Sequence, residues 1–218
     1  MNDVWLPEKV ESTYLRMLFL EQRYGNGTPL LVHTDLKVVD KSLHTMSESF
    51  AKYQNLKPTK MRVLNRLLVQ NSITGCTIMI NRALKNMALP IPEGAIMHDW
   101  WLGLVASAMG FVEYIDVPTV SYRQHNINVT GAKRWGLRYI IRSFKELDQR
   151  DASVQKTVFQ AKSFLSLYKD KLGRRNLRTV RAYANLDKGS FFLKRYVILR
   201  NRFLKKGLAR NIGMLIRI

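Results

Sequence analysis

Residues 95–107 read AIMHDWWLGLVAS, with His98 and Asp99 standing directly before two tryptophans and an apolar run. An aspartate in that position has two uses. It is a favoured N-cap, so it could satisfy the free amides of a helix that starts at Trp100. A carboxylate at a helix N-terminus is also held ionised by the helix dipole, which suits a general base. The residues alone leave both readings open, and Trp100 and Trp101 likewise fit either core or a platform for sugar stacking. His125, in SYRQHNINVTG, follows a strand and precedes a glycine-containing loop. It reads as a structural hydrogen-bonder or as a ligand, and His98, Asp99 and His125 could meet at the end of a sheet. Cys76, in TGCT, reads as a small buried residue with no neighbouring basic motif to make it a nucleophile. Asp35, in HTDL, either caps a turn or ends a strand.

The elements that must position these groups are legible from periodicity. LPEKVESTYLRMLFLEQRYGNGT is helical at first, with Val10, Tyr14, Met17 and Leu18 on one face and Gly25-Asn26-Gly27 as the stop. A β-rich apolar run predicts a strand over Leu30–Val39. Residues 42–54 and 59–71 look helical, and SITGCTIMINRAL gives a strand around Thr77–Ile80 feeding a short helix. Trp101, Leu104, Val105 and Ala108 share a helical face that Gly110 ends. FVEYIDVPTVSYRQH predicts two short strands with Asp116–Pro118 between them. Strands alternating with helices make this part α/β. From Trp135 onward the pattern is purely helical. Val154, Val158, Ala161, Leu165 and Tyr168 form one apolar stripe, and Phe192, Tyr196, Leu199 and Phe203 form another, flanked by lysines and arginines. A boundary is expected near Gly131–Arg134.

Composition narrows the classes. Nearly half of the 218 residues are apolar, which is enough for a sizeable core. The single cysteine excludes an internal disulfide and points to a reducing compartment. The opening MNDVWLPEKV is not the pattern of a signal peptide, and the longest uncharged run, Trp100 to Val112, is too short to span a bilayer. The net charge of +20 is concentrated: residues 1–132 hold 13 Lys/Arg against 11 Asp/Glu, and residues 133–218 hold 23 against 5. That asymmetry points to an anionic partner for the tail, a phospholipid surface or nucleic acid. The tail lacks the aromatic interleaving of a nucleic-acid binder, which leaves the membrane surface, over residues 174–218, as the expected partner.

The segments NDVWLPEKVE, LVHTDLKVVD, LLVQNSITGCTIMINRAL, HDWWLGLVASAMG and YRQHNINVTGA, in this order, resemble bacterial family 2 glycosyltransferases of the rhamnosyltransferase-like kind. The resemblance covers most of residues 2–135, and the basic tail is similar to the C-terminal extension of those proteins. It implies a partial GT-A fold for residues 1–132, a mixed sheet with helices, followed by a basic all-helical extension over residues 133–218. It implies an inverting transfer of a sugar, commonly from dTDP-rhamnose, to a surface polysaccharide or lipid-linked glycan. Asp99 then matches the general base that deprotonates the acceptor hydroxyl, with Gly75, Cys76, Thr77, His98, Trp100 and Trp101 around the acceptor. Asp3 and His125 match positions for a metal or diphosphate ligand, the metal being magnesium or manganese. The expected location is the cytoplasmic face of the bacterial plasma membrane.

The departure from the family pattern matters as much. Members read roughly Asp-Gln-Asp-Asp-Val-Trp where this chain begins Met-Asn-Asp-Val-Trp, so the first aspartate of the metal-binding DxD is absent, Asn2 stands where the second should be, and only Asp3, the acid just after it, remains. The upstream βαβ segment that would hold the nucleotide is not in this sequence. The expectation is therefore an acceptor half, inactive alone, that needs a donor half from another chain. The competing expectation is a non-catalytic module that binds membranes or polyanions.

Overall fold

The computed structural model describes residues 3–56, 58, 64–123 and 148–218. It is an α/β structure with one five-stranded mixed sheet and, among the described residues, nine α-helices. The spine of the sheet is β2 (Leu30–Val39), nine of whose ten residues are buried. Its nearly continuous burial is that of a strand covered on both faces rather than one. It runs parallel to β5 (Phe111–Arg123) and antiparallel to β3 (Thr45–Ser47) and β4 (Ile78–Ile80). The short β1 (Val4–Trp5) pairs antiparallel with the far side of β5.

Three local expectations change. Helix was expected across residues 42–54, but the chain makes β3 and then a single turn, α2 (Phe50–Tyr53). The cause is Asp40, whose carboxylate accepts from the amides of Ser42 (2.8 Å) and His44 (2.9 Å), while Leu43 takes a left-handed φ of 68°. That local bonding competes with helix and folds the chain back on β2. Two short strands were expected after residue 110, but β5 is continuous. Thr34 lies opposite Ile115 and Asp35 opposite Pro118, so Asp116 and Val117 bulge out and Pro118 needs no ladder donor. In α1 (Lys9–Tyr24) the buried face is Lys9, Thr13, Met17 and Leu20, whereas Val10 and Tyr14 are exposed. Of the helix expected over residues 59–71, the described part shows one turn, α3 (Leu64–Leu67).

A 3₁₀ turn (Gly75–Thr77) leads into β4, then α4 (Arg82–Ala88) and α5 (His98–Met109). From Asp99 to Ala108 every residue of α5 is buried, as befits a helix apolar on all sides. The helical part follows as α6 (Asp148–Tyr168), α7 (Arg174–Ala184), a 3₁₀ turn at Leu186–Lys188, α8 (Phe191–Arg200) and α9 (Leu208–Arg217).

The expected boundary at Gly131–Arg134 lies outside the described residues, but the parts on either side share one hydrophobic cluster. Trp101 meets Phe164 edge-on at 5.5 Å and Tyr168 at 6.0 Å. Polar contacts fix the same junction: Gln160 accepts from the Ile96 amide (2.8 Å), Tyr168 donates to the Met87 carbonyl (2.9 Å) and Asn176 to the Ala108 carbonyl (2.7 Å). The stripe from Val154 to Tyr168 is thus a core stripe. In the second stripe only Phe203 is buried; Phe192, Tyr196 and Leu199 are exposed.

Candidate active site

Because α5 returns directly into β5, its N-terminus lies toward the carboxyl ends of the parallel pair β2 and β5. Ligands of open α/β sheets bind at that end. Asp3 marks the same place, its carboxylate accepting from the Arg123 amide at the end of β5 (3.3 Å). The turn Gly75–Thr77, Lys9 of α1, and His98 and Asp99 of α5 close around it.

Asp99 is not the N-cap. The helix begins at His98 with Met97 as cap residue, so Asp99 sits inside the first turn. Its side chain is 3 % exposed. One oxygen, Oδ1, accepts from the Trp100 amide (2.6 Å) and from Asn71 Nδ2 (3.2 Å); the other, Oδ2, accepts from the Gly75 amide (2.9 Å). Burial raises its pKa from the usual carboxylate value, against the pull of those hydrogen bonds and of the His98 charge. The result is a fixed carboxylate of raised basicity, which is what a general base requires.

Its neighbours are held just as closely. A Cβ at Gly75 would lie 2.9 Å from His98 Nε2 and 3.4 Å from Asp99 Oδ2, so glycine is what lets this turn approach both side chains. Burial pushes the Cys76 thiol up to about 11, helped by the charges of Asp3 and Asp99 and opposed by Lys9. Cys76 is therefore a protonated thiol at neutral pH and no nucleophile. Lys9 is itself buried, its ammonium 3.6 Å above the Trp5 ring, and burial lowers its pKa.

The other expected residues divide. Thr77 is fully buried and donates to the Thr74 carbonyl (2.7 Å), holding the turn together. Trp101 is fully buried against α6, and the indole of Trp100 donates to the Leu67 carbonyl of α3. Both rings are core in this structure, because α5 is covered on every side. Asp35 lies inside β2, where it accepts from the Leu36 amide (2.8 Å), the Ala51 amide (3.1 Å) and the Ser49 hydroxyl. It anchors α2. His125 lies outside the described residues.

Sequence reasoning missed Asn71 and Lys9. Asn71 lies 28 positions from Asp99, and no local pattern announces the contact. Lys9 is four residues beyond Trp5, the one hint of the cation–aromatic pair. Among the described residues no group of three or more His, Cys, Asp or Glu comes together to hold a metal ion. Asp3 spends one oxygen on a backbone amide, and both oxygens of Asp99 accept hydrogen bonds. Among the described residues these two carboxylates are joined by no third ligand. No family of known proteins, no curated protein and no solved structure matches this chain.

Proposed function

We propose that the chain is the acceptor-side part of an inverting glycosyltransferase, with Asp99 as its general base. The observation that supports this is the Asp99 carboxylate itself: buried, raised in pKa, and aimed by Asn71 and two backbone amides at the carboxyl end of a parallel strand pair. In the reaction Asp99 takes the proton of an acceptor hydroxyl. The hydroxyl oxygen bonds to the anomeric carbon of the donor sugar, and the bond to the nucleoside diphosphate breaks on the opposite face. His98, beside Gly75, Cys76 and Asp99, orients the acceptor. The donor, dTDP-rhamnose by resemblance, is held by a nucleotide-binding half outside these residues, and the acceptor is a surface or lipid-linked glycan.

The experiment is transfer from dTDP-rhamnose by the chain joined to a donor half of a rhamnosyltransferase-like enzyme. Asp99→Asn should lower the rate by ~10²–10⁴-fold, the usual contribution of a positioned base. An unchanged rate would reduce Asp99 to a structural anchor of its turn.

The location proposed is the cytoplasmic face of the plasma membrane, because α8 and α9 expose apolar side chains among cations. Phe192 is 80 % and Leu208 76 % exposed, with Phe191, Tyr196, Leu199 and Ile216 also exposed and Lys194, Arg195 and Lys206 among them. No helix among the described residues is long and apolar enough to cross a membrane. The same surface favours the second reading, a non-catalytic membrane-binding module. Vesicle binding without transfer by the joined protein would select it.

A further inference from the structure

At the far end of α5 lies a cleft of about 1210 Å³ between α3, α7 and the turn after α8. Three separate segments bring six cations to its walls: Arg66, then Lys171, Arg174 and Arg175, then Arg200 and Arg202. No aspartate or glutamate lines it, and among the described residues none of the six forms an ion pair with a carboxylate. Ten residues of helix separate Asp99 from Met109, about 15 Å at the α-helical rise, so this cleft is distinct from the site at Asp99.

The walls are fixed rather than chance neighbours. Asn65 Nδ2 donates to the carbonyls of Asn201 (3.3 Å) and Arg202 (3.2 Å), tying α3 to the turn after α8. Arg202 is held there at a left-handed φ of 53°, a conformation costly for a residue with a side chain. Asn176 ties the start of α7 to the Ala108 carbonyl near the end of α5. At Gly110, on the cleft floor, a Cβ would overlap the Pro29 carbonyl oxygen, so the floor too admits one arrangement. Six like charges gathered around these walls, with no carboxylate paired to them among the described residues, favour the entry of an anion.

We propose that this cleft binds a diphosphate group. Cations on three walls match an anion with several oxygens and more than one charge, and arginine forks suit phosphate oxygens. The volume leaves room for whatever carries the diphosphate, whether a free molecule or a lipid headgroup. Single-stranded nucleic acid fits less well, because base binding needs free aromatic faces. The one aromatic side chain on the cleft wall, Phe111, is already stacked on Tyr24 at 3.8 Å. The inference stands apart from the role given to Asp99.

The test is calorimetric titration of the whole chain with inorganic pyrophosphate, alongside two triple variants that remove equal charge. Arg174→Gln/Arg175→Gln/Arg202→Gln empties the cleft, and Lys156→Gln/Arg178→Gln/Lys188→Gln removes exposed cations elsewhere. Lys171→Gln serves as a milder single change, and circular dichroism checks that each variant is folded. The expected result is saturable binding that the cleft variant weakens at least tenfold, Lys171→Gln weakens severalfold and the outside variant changes less than twofold. Competition by neutral vesicles doped with a diphosphate-headed lipid would assign the site to a lipid, and failure of that competition to a free diphosphate. Equal losses in both triple variants, no saturable binding of pyrophosphate, or tighter binding of a single-stranded oligonucleotide through the same residues would each overturn the proposal.

Discussion

The two ends of α5 are solved in opposite ways. At the amino end, the Asp99 carboxylate and Lys9 are buried and the Cys76 thiol is half-buried, and burial shifts the proton affinity of each. At the carboxyl end, cations of ordinary exposure stand around open space, and no carboxylate answers them among the described residues. The first end is governed by desolvation, which depends on local burial and responds little to salt. The second is governed by long-range repulsion, which salt screens. pH should therefore probe the buried side of the molecule, and ionic strength the open side.

The largest expected effect tests the buried side. His33, in the middle of β2, is fully enclosed beside the Tyr114 ring at 5.1 Å, and burial pushes its pKa from 6.5 down to about 3. The unfolded chain takes up this proton first, so stability is present above pH 6.5 and is lost as pH falls toward 3. At about 1.4 kcal/mol per unit the loss reaches at most roughly 5 kcal/mol. Asp99 acts in the other direction. Its raised pKa means the unfolded chain releases the proton first, so ionising it costs stability as pH rises through its window. The acid limb of a urea-denaturation series should therefore become shallow in His33→Leu. An unchanged limb would move the acid sensitivity elsewhere.

Next in size is the link between the ends. Trp101 is fully buried where α5 meets α6, and Trp101→Ala should cost about 3–5 kcal/mol in denaturant unfolding. Because one core spans both parts, the loss should appear as a single transition shifted as a whole. Separate melting of the α/β and helical parts would show that the two ends of α5 belong to independent units and would break the comparison.

Why some of this was readable in the sequence and some was not follows from range. β2, β4 and the body of α5 are written in local runs, Leu30–Val39 above all, and those predictions match the structure. The stripe from Val154 to Tyr168 matches as a buried face for the same reason. Failures came where a side chain rather than a pattern decides. Asp40 and Leu43 replace a helix by a hairpin, and a bulge joins two expected strands into one. Asp99 was legible as a group worth watching, but its partners Asn71 and Gly75 come from distant positions, and the helix starts two residues earlier than expected, which puts Asp99 inside it. The cleft was legible only as surplus charge. That six cations from three segments face one space is a property of the tertiary structure alone.

The smallest effect sharpens the open side. Lys162 Nζ donates to Asp187 Oδ2 at 2.6 Å, joining α6 to the turn before α8, and the two side chains are 41 % and 48 % exposed. The Lys162 bond holds the Asp187 pKa below the usual carboxylate value. Exposed pairs of this kind contribute about 0.2–1 kcal/mol, less as salt rises. Lys162→Met should thus cost no more than that, and a double-mutant cycle with Asp187→Asn should give a coupling that shrinks in salt. The whole chain should respond in the opposite sense, because residues 133–218 hold 23 Lys/Arg against 5 Asp/Glu and repulsion outweighs pairing. Raising sodium chloride from about 0.05 M to about 0.5 M shortens the screening length severalfold, which relieves that repulsion. Unfolding midpoints should therefore rise with salt while the Lys162–Asp187 coupling falls. If both fall together, attraction rather than repulsion dominates the open end, and its cations are not waiting for an anion.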